Sequence, residues 1–267
     1  MKQRIKCVLF DWAGTAVDYG CFAPVAAFVE SFQQTGCPVT AEETRQFMGK
    51  TKIEETRALF SIKRVRKEFA DKYGREPQEA DITACYDKFQ KILFTTLAKY
   101  STPLPGVVET VRTLRDSGIR IGSTTGYTAQ MMEIVRPAAA QQGYQVDCCI
   151  TSDGMPGGRP RPYMIYKNLT ELDIIDRHEA VKAGDTIADI REGVNAGVWS
   201  VGIILGSNEL ALSEEEVNTL QPSELRRRMD EVRQRMYAAG ADYVIDEISQ
   251  LPALIECINQ RMNQQSL

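Results

Sequence analysis

The chain has 267 residues, 43% of them hydrophobic and 25% charged, with a formal net charge of −4. This composition suits a globular protein with a full buried core, in one elaborated domain or two. It excludes a nucleic-acid binder recognised by basic runs or basic–aromatic stripes, and a membrane span, since no apolar run approaches roughly 18 residues.

Segment 1–6 is charged and lacks the apolar stretch and cleavage site of a secretion signal. Cys7-Val8-Leu9-Phe10 is a short apolar run ending at Asp11, which reads as a strand buried on both faces of a parallel sheet; Gly14 then permits a turn. From about residue 21 to 100 strand-like runs are scarce. Thr40-Ala41-Glu42-Glu43 is a capping-box helix start, and Ile82, Tyr86, Phe89, Leu93 and Leu97 mark an amphipathic helix over 79–100. After Pro103 and Pro105-Gly106 the pattern changes to repeating units. Helices are expected over 107–116, 129–142, 162–171, 190–195, within 213–239 and over 249–262. Strands are expected over 119–122, 146–150, 180–183, 198–205 and 243–245. Such alternation predicts an α/β fold, a doubly wound, Rossmann-like parallel sheet. The expected core comprises 1–20 and 101–267, with an inserted α-helical cap domain over 21–100. Arg226-Arg227-Arg228 stands among acids and reads as a solvated helix face. Seven cysteines without a C-x-x-C argue against a disulfide framework or zinc site and for reduced thiols in the cytoplasm.

In open parallel sheets ligands collect beyond the carboxyl ends of the strands. Asp11, at the first such end, has the chemistry of a nucleophile toward phosphorus, or of a turn-capping residue before a glycine. Asp185 and Asp189, four apart across a loop and a first helical turn, offer hard oxygen ligands suited to Mg²⁺, or a helix cap and a surface acid. Thr125 and Gly126 close the small-residue run Gly122-Ser123-Thr124-Thr125-Gly126, an anion cradle or an ordinary strand-to-helix turn. Arg159, in Gly157-Gly158-Arg159-Pro160, is a permanent cation for a phosphoryl oxygen, or a surface arginine. The only histidine, His178, reads as a loop residue rather than a base. Trp12 and Trp199 read as packing residues, and Cys21 as a small buried residue.

Taken in order, these positions resemble the four motifs of the haloacid dehalogenase superfamily. The resemblance implies Asp11 as nucleophile, Thr125 as phosphate-binding hydroxyl, Arg159 as cation, and Mg²⁺ at Asp185 with Asp189 close by. The helical segment resembles that superfamily's mobile cap. Its phosphatases usually carry a second aspartate two residues after the nucleophile, which protonates the leaving group. Here Ala13 stands at that place, and a general acid worth roughly 10²–10⁴-fold in rate is missing.

Within the superfamily the chain is similar to the phosphonatase (phosphonoacetaldehyde hydrolase) family over nearly its whole length. The segments that carry the likeness include Phe10-Asp11-Trp12-Ala13-Gly14-Thr15, Met48-Gly49, Lys52-Ile53, Gly158-Arg159-Pro160 and Leu205-Gly206-Ser207-Asn208-Glu209. This resemblance implies a Schiff-base lysine at Lys52, favoured over Lys50, and a backbone carbonyl of Ala13 facing Mg²⁺. It implies hydrolysis of phosphonoacetaldehyde, with the protonated imine accepting electrons from the breaking P–C bond. Met48 and Tyr127 are expected to line the substrate cavity, and a homodimer joined through the cap is implied. The sequence departs from the family at Glu55, where a histidine is common three residues after the lysine, and at Ala16, where threonine is common. Glu55 is a candidate proton relay that also favours the ammonium form of Lys52. Another phosphatase or phosphomutase of the superfamily, or a weakly active module binding phosphorylated metabolites, are the alternative readings.

Overall fold

Residues 3–264 are described by the computed structural model of the chain; positions 1–2 and 265–267 of the expected core segments lie outside them. The apolar run after the N-terminal segment forms strand β1 (Cys7–Phe10), every residue of it buried. It lies at the centre of a six-stranded, all-parallel sheet with β2 (Arg120–Thr125), β3 (Cys148–Thr151), β4 (Ala180–Gly184), β5 (Trp199–Ile203) and β6 (Tyr243–Ile245), in the order β3-β2-β1-β4-β5-β6. The chain winds outward from β1 to β3 on one side and returns to β4 on the other. This reversal opens a crevice beyond the carboxyl ends of β2, β1 and β4. The register sets Phe10 beside Ser123 and Ala183, so Asp11 emerges between two neighbouring strand ends.

The segment between β1 and the next core helix is helical, as expected: α1 (Phe22–Thr35), α2 (Ala41–Arg45), α3 (Lys52–Ser61), α4 (Lys63–Tyr73) and α5 (Glu79–Phe94). α2 carries the foreseen capping box, with the Thr40 side chain accepting from the Glu43 N–H. A second box, Thr51 with Glu54, starts α3 at Lys52 and was equally legible in Thr51-Lys52-Ile53-Glu54. The interior of this helical layer is aromatic. Phe28 stacks on Phe89 with centroids 4.0 Å apart, and Phe60 packs against Phe32 and Phe69. The same apolar cluster continues through Trp12 to Val8 and Phe10 under the sheet. The chain enters and leaves the helical layer side by side. Val17 bridges to Pro103, and the Leu104 N–H donates to the Ala16 carbonyl at 2.9 Å.

The core helices are α6 (Val107–Asp116), α7 (Ala129–Ala140), α8 (Tyr163–Glu171), α9 (Ile187–Ala196), α10 (Glu214–Thr219), α11 (Pro222–Ala238) and α12 (Leu251–Gln264). Three differ instructively from the expected spans. α9 begins at Ile187 instead of 190 because Thr186 and Asp189 form a capping box. The acidic stretch 213–239 is two helices, broken before Pro222, which takes the first helical position of α11. The final helix starts two residues late, after a 3-10 turn over Ile248–Gln250. Strand β2 runs to Thr125, past the expected 122, because its small polar residues continue the ladder to Thr151. None of the seven cysteines is bridged, and among the described residues no helix is long and apolar enough to cross a membrane.

Removing the ring of Phe89, which is fully buried against Phe28, leaves a large cavity in the helical layer. Phe89→Ala is expected to cost about 3–5 kcal/mol in urea unfolding, and a loss below about 1 kcal/mol would show that the layer repacks.

Candidate active site

The turn after β1 holds Asp11 in place. The Asp11 N–H donates to the Ala183 carbonyl at 3.0 Å, extending the sheet ladder by one residue. The N–H groups of Ala16 and Val17 both donate to the Trp12 carbonyl, closing a tight loop over Ala13 and Gly14. Gly14 has φ +87°, and a Cβ there would stand 2.2 Å from Asp185 Oδ2. Only glycine lets the turn curl this way and leaves room for the second carboxylate.

Asp185, at the end of β4, is completely buried. Its Oδ1 accepts from the Thr15 hydroxyl at 2.9 Å and its Oδ2 from the Asn208 N–H at 2.8 Å. Asp189 is bound more tightly. Its Oδ2 takes the Thr186 N–H and hydroxyl, and its Oδ1 lies 2.7 Å from Lys182 Nζ and 2.9 Å from Arg159 Nη1. Arg159 is the hub and is buried, not the surface arginine of the plainer reading. Its Nη2 donates to Asp11 Oδ1 at 2.8 Å and to the Thr124 hydroxyl at 2.7 Å, and its Nε to Glu192 Oε2 at 3.0 Å.

Four buried carboxylates (Asp11, Asp185, Asp189, Glu192) thus share two buried cations, Arg159 and Lys182. The burden falls unevenly. Burial alone would raise Asp189, but Arg159 and Lys182 outweigh it and hold the group at about 2. Asp185 has no cation, and burial together with the charges of Asp11 and Asp189 pushes it well above the carboxylate range. Asp11, Asp185 and Asp189 each offer an oxygen within 4.8 Å of the others. A hard divalent cation fits this set, in charge and in donor chemistry.

Lys52 enters from the helical layer. The Thr51 capping box fixes it as the first residue of α3, so Lys52 and Glu55 share one face of the first turn. Both are buried, and Nζ lies 2.8 Å from Glu55 Oε2 and 3.1 Å from Oε1. The amine sits 5.6 Å from the centroid of Tyr127 and 6.0 Å from that of Phe28. Burial raises Glu55 to about 7, against the opposing pull of Lys52.

Lys52 points into a small cavity that the core lines with Asp11, Ala13, Thr125, Gly126, Tyr127 and Arg159, and the helical layer with Cys21, Met48 and Gly49. The Thr125 hydroxyl accepts from the Tyr127 N–H at 3.0 Å, which shapes the start of the following loop. Gly126 lies so near the helical layer that a Cβ would stand 2.3 Å from the Lys50 carbonyl oxygen. Lys50 itself points elsewhere, over the Phe47 ring and into a neighbouring cleft. His178 is exposed, paired with Asp176 and not among the residues lining this cavity; it sits on a short 3-10 helix, Arg177–Glu179, where a loop was expected.

Sequence reasoning missed Lys182, Glu192, Thr15, Thr124 and Thr186 as members of the site. Lys182 had a signal, a charge inside the buried strand Ala180-Val181-Lys182-Ala183-Gly184. A buried lysine needs a partner, and α9 supplies Asp189.

A model of the haloacid dehalogenase-like hydrolase family matches residues 5–197. Among curated proteins, the chain is 52% identical over 261 residues to the phosphonoacetaldehyde hydrolase of Bacteroides fragilis, covering 98% of this chain and 99% of that one. It is 52% identical over 260 residues to the phosphonoacetaldehyde hydrolase of Parabacteroides distasonis, covering 97% and 98%. Among solved structures, it superposes with a TM-score of 0.96 on a phosphonoacetaldehyde hydrolase-like protein from Oleispira antarctica, at 35% identity over 98% of this chain and 95% of that one.

Lys182→Ala would leave Asp189 and Glu192 with Arg159 as their only cation. Breaking a fully buried pair in this way is expected to cost about 3–5 kcal/mol in denaturant unfolding. An unchanged midpoint would mean that Arg159 alone balances them.

Proposed function

On the premise that the chain belongs to the haloacid dehalogenase-like hydrolases and, within them, to the phosphonoacetaldehyde hydrolase family, we propose that it hydrolyses phosphonoacetaldehyde to acetaldehyde and phosphate. The observation that carries this reading is the burial of the Lys52 amine in the same cavity as Asp11 and Arg159, with an alanine at 13 where a leaving-group acid would stand. A phosphate monoester needs that acid; a P–C bond next to a carbonyl needs an electron sink instead.

Lys52 condenses with the aldehyde and releases water. Asp11 attacks phosphorus, and the P–C electrons flow into the protonated imine to leave an enamine and an aspartyl-phosphate. Protonation of the enamine carbon and hydrolysis of the resulting imine free acetaldehyde and Lys52; a further water releases phosphate from Asp11. Arg159 and the Thr125–Gly126 turn receive the phosphoryl oxygens, while Met48 and Tyr127 wall the aldehyde off from water. Glu55, poised at about 7, takes the proton that the Lys52 ammonium must lose and returns it in later steps. Asp11, Asp185 and the Ala13 carbonyl would hold Mg²⁺, with Asp189 behind them because its Oδ1 already faces two cations, Lys182 and Arg159, whereas the Asp185 oxygens meet only neutral donors. When bound, the ion would neutralise the phosphoryl group and the nucleophile.

In domain terms, 1–20 and 101–267, of which 3–20 and 101–264 are described, make the core and 21–100 the cap. The cytoplasm is the expected compartment for the seven free thiols, and the family resemblance supports a homodimer through the cap.

Borohydride with phosphonoacetaldehyde is expected to trap an adduct mapping to Lys52, and Lys52→Ala to lose both adduct and turnover. Turnover that survives in Lys52→Ala without an adduct would defeat the imine. The value of kcat/KM is expected to rise with pH through about 7, as Glu55 becomes the carboxylate that accepts the lysine proton. Glu55→Gln should abolish that limb and Glu55→His preserve one; an unchanged limb in Glu55→Gln assigns it elsewhere. Chelation of Mg²⁺ should stop turnover, restorable by adding the ion back.

A further inference from the structure

Arg45 ends α2 of the cap, and Asn208 sits in the core loop after β5, 163 residues away in sequence. They engage at two points. Arg45 Nη1 donates to Asn208 Oδ1 at 3.1 Å, and Asn208 Nδ2 donates back to the Arg45 carbonyl at 3.2 Å. The same Nη1 donates to the Gly20 carbonyl at 2.7 Å, and the guanidinium lies 4.9 Å from the centroid of Phe22. Gly20 and Phe22 flank the point where the chain leaves the core for the cap. The Gly20 N–H in turn donates to the Gly206 carbonyl, two residues before Asn208, at 2.7 Å. Cap, crossover and core loop therefore meet at this one guanidinium.

The main chain of Asn208 faces the other way. Its N–H donates to Asp185 Oδ2 at 2.8 Å, opposite the Thr15 hydroxyl on Oδ1. These are the two hydrogen bonds that orient the one carboxylate of the cluster without a cation. Asn208 is buried, and its side chain and amide serve different domains.

We infer that the Arg45–Asn208 clasp is a positioning device that couples cap closure to the metal site. With the cap shut, Arg45 fixes the Asn208 side chain, the fixed loop aims its N–H at Asp185, and Asp185 is held in the orientation that receives the cation. By reciprocity, an ion on Asp185 favours the closed cap. Neither residue touches substrate. The inference rests on Asp185 as a metal carboxylate.

The test is calorimetric titration of Mg²⁺ into the whole protein, with and without inorganic phosphate, alongside circular dichroism and thermal melts. Arg45→Ala and Asn208→Ala both keep the Asn208 N–H, yet each is expected to weaken Mg²⁺ about tenfold in at least one condition, as loss of an outer support does at metal sites. The double variant should be no weaker than the worse single one, because both remove the same clasp. If one variant fails to fold, the other still decides. Affinities within twofold of the wild type in folded variants, or penalties that multiply in the double variant, would overturn the inference. A wild-type protein that binds no Mg²⁺ would instead overturn the reading of Asp185.

Discussion

A deficit of positive charge at the carboxyl edge of the sheet organises this molecule. Four carboxylates are buried there with two cations, and Asp185 is the one left without a cation beside it. In a site shut off from water such an imbalance is costly, so the arrangement calls for a divalent ion or a protein unable to keep its acids ionised. The local features follow from it. Gly14 removes a side chain so that Asp185 can approach Asp11. Thr186 caps α9 so that Asp189 faces inward. Lys182 occupies a strand position that would otherwise hold an aliphatic residue.

The cap answers a different need. On the proposed reading Asp11 attacks, and the alanine at position 13 offers no acid to help the leaving group depart. That reading takes the help from the helical insert as the Lys52 amine, which the capping box at the start of α3 brings into the cavity. The Lys52–Glu55 pair is buried, and burial puts the carboxyl near neutrality against the pull of Lys52 and, more weakly, of Arg159. A carboxyl in that range can both accept and return a proton, a property the histidine usual in this family would supply by different chemistry.

The strand-end residues were legible because their signals are local. An apolar run followed by Asp11, a small-residue run ending at Thr125 and an acid pair after β4 each declare a strand end in a few letters. The helical insert was legible from heptad-like spacing and Thr40. Lys52 was not legible from its surroundings, since a lysine on a short helix looks the same in solvent as in a cavity; family resemblance alone singled it out. Glu192 and Asn208 gain meaning only from partners far along the chain, Arg159 and Arg45. The span of β2 was underestimated because Ser123, Thr124 and Thr125 lack the apolar signature of a strand, although each hydroxyl finds a hydrogen-bond partner.

The near-contact between Gly126 and the Lys50 carbonyl has a consequence for how readily this enzyme can change its diet. At this contact the helical insert rests on the core through main chain, so no side chain there can be shortened by mutation to raise the chamber. Trimming Met48 or Tyr127 would broaden the chamber sideways, but a bulkier aldehyde would still have to hold the two backbones apart. Accepting branched substrates calls for a longer or re-routed loop, a rarer evolutionary event than a point substitution.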